Sequence, residues 1–373
     1  MTKAGAVRRM FPGGNTWRGF HSFYDQIIGP DARRVFILKG GPGAGKSTFM
    51  KWIADRLAAM GFDAEYHHCS ADPGSVDAVV FPSLRTALLD GTAPHVVDPP
   101  FPGLTGEIID LGRFADDAAL RPHADDIRRL SEAGRQSFRR AYHYLAAAKA
   151  VRDAEKDIHG RAMDHAFVHR QARRLAAAVV QACEEGSPAA ASGETEGAAG
   201  RRRRLFAGSI TPLGPVHHLD TLAGGLPRVF VVRGRPGTGA STLLNKAADA
   251  VTDRGWDAEL FFCPFDPDRL EHLVVPAAGV AVVTSRPPHE FEPAGAEIID
   301  LDHGLSLPDP DARHAAAARR MFGNLFEHAT AALAEARQHH LRLEALYRPA
   351  MDFGAVNELR GRVFEKILAH APG

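Results

Sequence analysis

The chain has 373 residues, with 45 Lys+Arg against 45 Asp+Glu, 45% hydrophobic and 24% charged residues, and three cysteines. That length suits two domains with real cores. Balanced charge excludes a global field toward nucleic acid or an anionic membrane, and three thiols without zinc-ligand spacing exclude a disulfide framework or structural zinc. No apolar run approaches a membrane span, and the opening "MTKAGAVRRMFPGG" has no apolar h-region. A cytoplasmic protein with neither membrane nor nucleic-acid partner is expected.

In chain order, the apolar run Val35 to Leu38 predicts a strand that enters "KGGPGAGKST". Phe49, Met50, Ile53 and Leu57 then recur at helical spacing. "DAEYHHC" (63–69) and "TALLD" (86–90) read as further strands. Strand, helix, strand, strand with short connections predicts an α/β layer with a mostly parallel sheet. Residues 116–182 form a charged, alanine-rich helical tail, either packed on the sheet or offered to a protein partner.

The plan then repeats. A shift of 194 residues lays "RVFILKGGPGAGKST" (34–48) over "RVFVVRGRPGTGAST" (228–242), and "GFDAEYHHCSADP" (61–73) over "GWDAELFFCPFDP" (255–267). "TALLDGTAPHVVDP" (86–99) falls on "VAVVTSRPPHEFEP" (280–293). After a four-residue deletion "EIIDL" (107–111) meets "EIIDL" (297–301), and "AMDHAFVHRQARRL" (162–175) resembles "AMDFGAVNELRGRV" (350–363). This is a duplication. The Gly-, Ala-, Ser- and Glu-rich stretch 184–204, ending in Arg201 to Arg204, reads as a flexible, solvated linker. The expected domains are 1–183 and 205–373, each a three-layer α/β P-loop NTPase domain with a helical C-terminal extension.

Gly40 to Ser47 fits G-x-x-x-x-G-K-[S/T]. Gly40, Gly43 and Gly45 let the backbone bend so that successive N–H groups face phosphate oxygens, at a helix N-terminus that favours an anion. Gly40, Gly41, Pro42, Gly43, Ala44, Gly45, Lys46, Ser47 and Thr48 are therefore expected to bind nucleotide. Lys46 should reach the β- and γ-phosphates, and Ser47 should ligate Mg²⁺. Asp90, ending a buried apolar strand, looks like the Walker B carboxylate for the same metal. Asp72 in "CSADP" is a candidate general base or a turn cap. His95 is a candidate for sensing the γ-phosphate or binding substrate. The doublet His67-His68 alternates across a strand and does not chelate one metal. Phe20 and Phe23 could stack on a base or be core.

The second copy replaces Lys46 by Ala240 and Asp90 by Thr284, and keeps Asp266 and His289 opposite Asp72 and His95. It reads as catalytically degenerate. Arg235 and Arg286, in place of Gly41 and Thr92, make its rim more basic and are candidates for an arginine finger toward the first loop.

"GGNTWRGFHSFYDQIIG…RVFILKGGPGAGKSTFM", "HHCSADPGSVDAVVFP" and "LLDGTAPHVVDP" resemble an uncharacterised family of bacterial tandem P-loop proteins described as ATPases or nucleotide kinases. The likeness covers nearly the whole chain outside the linker. It implies ATP binding without an established substrate. A lysine is common in that family's second loop, and Ala240 departs from it. Three readings follow: an ATPase using ATP and Mg²⁺ at the first site, a kinase passing the γ-phosphoryl group to a small-molecule or nucleotide acceptor, and a non-catalytic nucleotide-dependent scaffold.

Overall fold

The computed structural model describes residues 4–93, 96–98, 101–186 and 199–370. His95 and residues 187–198 of the expected linker lie outside them.

The first half runs β1 (Val7–Met10), the hairpin β2 (Gly13–Thr16) and β3 (Gly19–Ser22), β4 (Arg34–Lys39), α1 (Lys46–Ala59), β5 (Ala64–His68), β6 (Val76–Phe81), β7 (Thr86–Asp90) and β8 (Gly106–Asp110). A single turn, α2 (Asp117–Leu120), precedes the long α3 (Ala124–Arg161) and α4 (His165–Gly186). The second half repeats this order with β9 (Arg202–Leu205), the hairpin β10 (Gly208–Thr211) and β11 (Gly214–His217), α5 (Leu219–Ala223), β12 (Arg228–Arg233) and α6 (Ala240–Thr252). It ends with β13 (Ala258–Phe262), β14 (Leu270–Val275), β15 (Val280–Ser285), β16 (Glu297–Asp300), α7 (Asp309–Tyr347) and α8 (Phe353–Leu368).

Each half supplies a six-stranded sheet of the same order, β1-β5-β6-β7-β4-β8 and β9-β13-β14-β15-β12-β16. The sheets are mixed rather than mostly parallel: β6 and β14 run antiparallel to both neighbours, and the other pairings are parallel. Connection length explains the correction. A parallel crossover takes a dozen or more residues, whereas 69–75 and 82–85 can only make reversals. The antiparallel strand "VDAVVF" is buried along its whole length and shows no alternation that would mark it.

The compact units do not coincide with the sequence copies. Unit 1 comprises residues 1–13, 22–140 and 331–373, and unit 2 comprises 14–21 and 141–330. In unit 1, Phe49, Met50, Ile53 and Leu57 of α1 bury against Phe36, Leu38 and Leu88 of the sheet. Val356, Val363 and Ile367 of α8 join that core, and Phe364 meets Trp52 edge-on with ring centroids 5.6 Å apart. The other sheet face packs Val35, Ile37, Val80 and Leu89 on Ile27, so among the described residues a short turn rather than a third helical layer lies there. In unit 2, α4 fills the matching place. Its Val168, Leu175, Val179 and Cys183 pack with Leu243, Leu244, Ala247 and Val251 of α6. The helical tail of each copy thus completes the unit built on the other copy's sheet, and its apolar face is taken up there.

The shared "AMD" of the two tails is explained locally. Met163 and Met351 are buried, and Asp164 and Asp352 accept N–H groups of Phe167 and Ala355, both at 3.0 Å, at helix N-termini. Each segment also makes one isolated antiparallel bridge in its unit, Ala115 with Met351 and Met163 with Leu305. The arginine run is an edge strand rather than linker. β9 pairs parallel with β13, and Arg201, Arg202 and Arg203 bind Asp257, Asp249 and Glu259.

Candidate functional site

The first glycine loop sits in unit 1 between β4 and α1. Val35 to Leu38 are buried and paired on both sides, which fixes where the chain leaves the sheet. Gly45, at φ +87°, turns the backbone into α1 in the left-handed region that favours glycine. Lys46 then begins the helix. Its ammonium folds back over the loop, donating to the carbonyls of Gly40 at 2.7 Å and Gly41 at 3.1 Å. It also lies 3.7 Å from Asp90 Oδ2. Asp90 ends β7, and its Oδ1 accepts the N–H and hydroxyl of Thr92. Lys39 braces the next turn by donating to Gly91 O and Val97 O. Ser47 Oγ accepts the Val76 N–H at 3.1 Å, which ties the loop to β6.

The structure therefore brings Lys46 and Asp90 together, with Ser47 next to Lys46 at the start of α1. Asp72 stands elsewhere in its hydrogen bonding. It accepts the Ser75 hydroxyl at 2.7 Å and Arg337 of α7 at 3.0 Å. The equivalent Asp266 faces Lys156 at 3.4 Å and Lys149 at 3.8 Å, from α3. Asp72, in the β5–β6 turn, and Asp266, in the β13–β14 turn, are thus each engaged by a cation from a long helix of the same unit. Phe23 is core, while Phe20 lies in the hairpin assigned to unit 2. The two candidate fingers are taken up within unit 2: Arg235 by Asp302 at 3.2 Å, and Arg286 by Glu271 at 2.9 Å.

Sequence reasoning missed several residues. Asp77, the second residue of β6, is buried, and burial pushes its carboxyl up to about 7 against hydrogen bonds from Tyr24 and Cys69. Asp90 raises it further and Lys46 lowers it, so all three share one electrostatic neighbourhood. The signal was present: Asp77 and Glu271 put a carboxylate at the same place in apolar strands of both copies. Tyr347 and Arg348 of unit 1 could not be found that way. A Cβ on Gly41 would meet the Tyr347 ring at 3.0 Å, and one on Gly43 would meet Arg348 Cγ at 3.0 Å. The loop glycines are thus required by close packing from the distant end of the chain as well as by backbone conformation.

Ser47 and Asp90 carry hard oxygen donors of the kind Mg²⁺ takes, a cation that uses few protein ligands and keeps several waters; among the described residues no group of three or more His, Cys, Asp or Glu could hold a metal ion. Unit 2 keeps the loop backbone but not this pair of donors. Gly234, Gly237 and Gly239 have φ values of +152°, +94° and +103°, beside +154°, +72° and +87° for Gly40, Gly43 and Gly45. Thr284, in place of Asp90, is buried and donates to Glu271 O at 2.8 Å. Ala240 is buried at the start of α6. Among the described residues, no helix is long and apolar enough to cross a membrane.

Compared with protein-family models, curated proteins and solved structures, the chain matches none of them.

Proposed function

We propose that unit 1 binds a nucleoside triphosphate, ATP, with Mg²⁺ at the first glycine loop and hydrolyses it, as a P-loop NTPase does, and that the second loop is catalytically silent. The observation that carries this reading is the convergence of Lys46 and Asp90 over a glycine loop that opens a helix directly after a buried parallel strand. Lys46, now on the Gly40 and Gly41 carbonyls, has a compact ammonium that exchanges those acceptors for phosphate oxygens. Loop N–H groups and the α1 N-terminus favour the same anion. Ser47 and Asp90 would hold the metal, which when bound offsets charge on the transferring phosphoryl group. Asp72, fixed by Arg337, has a positioning part in the β5–β6 turn. Three unpaired cysteines suit a reducing, cytosolic setting.

Phosphate release by the full chain tests this. Each charge-assisted contact contributes about 1.5–3 kcal/mol, so Lys46→Ala should lower hydrolysis by at least tenfold and weaken ATP binding. An unchanged rate in Lys46→Ala, or no ATP binding by the parent protein, overturns the reading. Turnover that appears only with an added acceptor reassigns the step to phosphoryl transfer.

A further inference from the structure

A cavity of about 970 Å³ lies within unit 2, at the carboxyl ends of β12, β13 and β15 beside the second glycine loop. Its size is within the range of small-molecule sites, about 300–1,000 Å³. Arg152, Arg269, Arg286 and Arg319 line it.

The two copies show where that charge came from. The second copy has Ala240 for Lys46, but Arg269 for Ser75 and Arg286 for Thr92. Positive charge was relocated around the loop rather than deleted. Arg269 and Arg286 both donate to Oε1 of buried Glu271, each at 2.9 Å. Arg152 and Arg319 share buried Glu155. Four guanidinium groups thus face two carboxylates. The remaining lining cations are matched: Arg233 by Glu292, Arg235 by Asp302 and Lys156 by Asp266. Asp300 accepts the Asp302 N–H and keeps its charge, and Glu290 and Glu327 stand exposed, as does Arg319. The four guanidinium groups outnumber the carboxylates that they bind directly. Burial lowers Arg152 and Arg286, and Arg269 beside them lowers both further, as expected for crowded like charges. Arg269 Nε has no hydrogen-bond partner among the described residues. A buried unpaired donor, and guanidinium groups that share one carboxylate between two, are costly until an anion arrives.

Two further features narrow the anion. The position of Asp90 holds Thr284, so the carboxylate placed for a metal ion in the first copy has no equivalent here. One wall is aromatic: Phe322 meets Phe265 edge-on at 5.3 Å and stacks on Phe326 at 5.7 Å, with the Arg152 guanidinium 3.5 Å from the Phe322 centroid. Arg152 covers a face of Phe322, and Phe265 and Phe326 beside it add aromatic surface of the kind that takes a flat ring.

We propose that this cavity binds a nucleoside phosphate as the free anion, without a metal ion, with its phosphate on the arginines and its base on the phenylalanines. The proposal holds whether or not the first loop hydrolyses ATP. Calorimetric titration of full-length Lys46→Ala in EDTA tests it, with AMP, inorganic phosphate and adenosine as probes. AMP should bind once per chain, at least tenfold more tightly than phosphate or adenosine. Arg286→Gln in that background should weaken AMP by tenfold or more. Arg319→Ala, at a side chain that is half exposed, should weaken it several-fold and decides the matter should Arg286→Gln fail to fold. No AMP binding, AMP no tighter than phosphate, or undiminished binding in the folded variants overturns the proposal.

Discussion

Asp77 and Glu271 occupy equivalent positions and are both buried, yet their surroundings drive them in opposite directions. Burial raises Asp77 to about 7. Burial would likewise raise Glu271, but Arg269 and Arg286 hold it well below the usual carboxylate range. One added guanidinium pair therefore converts a proton-sharing carboxyl into a fixed anion. The neighbouring His272 gives a direct prediction. It is buried, its Nδ1 accepts the Thr284 N–H at 3.2 Å, and burial lowers its pKa from the ordinary 6.5 to about 3. A depressed folded value means the unfolded chain takes the proton first. Stability from this group is complete above pH 6.5 and falls with pH between 6.5 and 3, by roughly 1.4 kcal/mol per unit. Urea unfolding of unit 2 should weaken accordingly between pH 7 and 5, and His272→Gln should flatten that slope.

Among the elements, α8 carries the clearest consequence. It begins at the Asp352 cap and buries Val356, Val363 and Ile367 in the core of unit 1. Its sequence is amphipathic, but nothing local says which sheet it covers. Val363→Asp would bury an unpaired carboxylate, costing about 3 kcal/mol or more. Hydrogen exchange should then quicken in β4 and α1 of unit 1 and stay unchanged in β12 and α6. The strands divide similarly in legibility. β4 and β7 were readable from their apolar runs, and β5 from its place after the first helix. β6 was not, because Asp77 interrupts its apolar run. β9 was hidden by its composition, since Arg201, Arg202 and Arg203 look solvated until Asp257, Asp249 and Glu259 are brought beside them.

At the scale of the molecule, unit 1 needs residues 331–373 and unit 2 needs residues 141–186. Residues 1–183 expressed alone should leave the α1 face around Phe49 and Trp52 without α8, and residues 205–373 should leave α6 without α4. Each fragment should bind a hydrophobic dye and unfold without cooperativity. Co-expressed fragments should recover a cooperative transition in thermal scans. Two independently stable fragments would contradict this account.

The sequence by itself determined the duplication, the α/β class, the glycine loops, and the loss of Lys46 and Asp90 equivalents in the second copy. These are local facts: a periodic pattern, a fixed spacing, a residue type. Only the tertiary structure decided that each tail completes the other copy's sheet, that Asp72 faces Arg337, and that Arg269 and Arg286 converge on Glu271. Those contacts join residues far apart in the chain or on adjacent strands whose antiparallel pairing no period announced. Packing of apolar faces and neutralisation of buried charge select them, and both are properties of the folded whole.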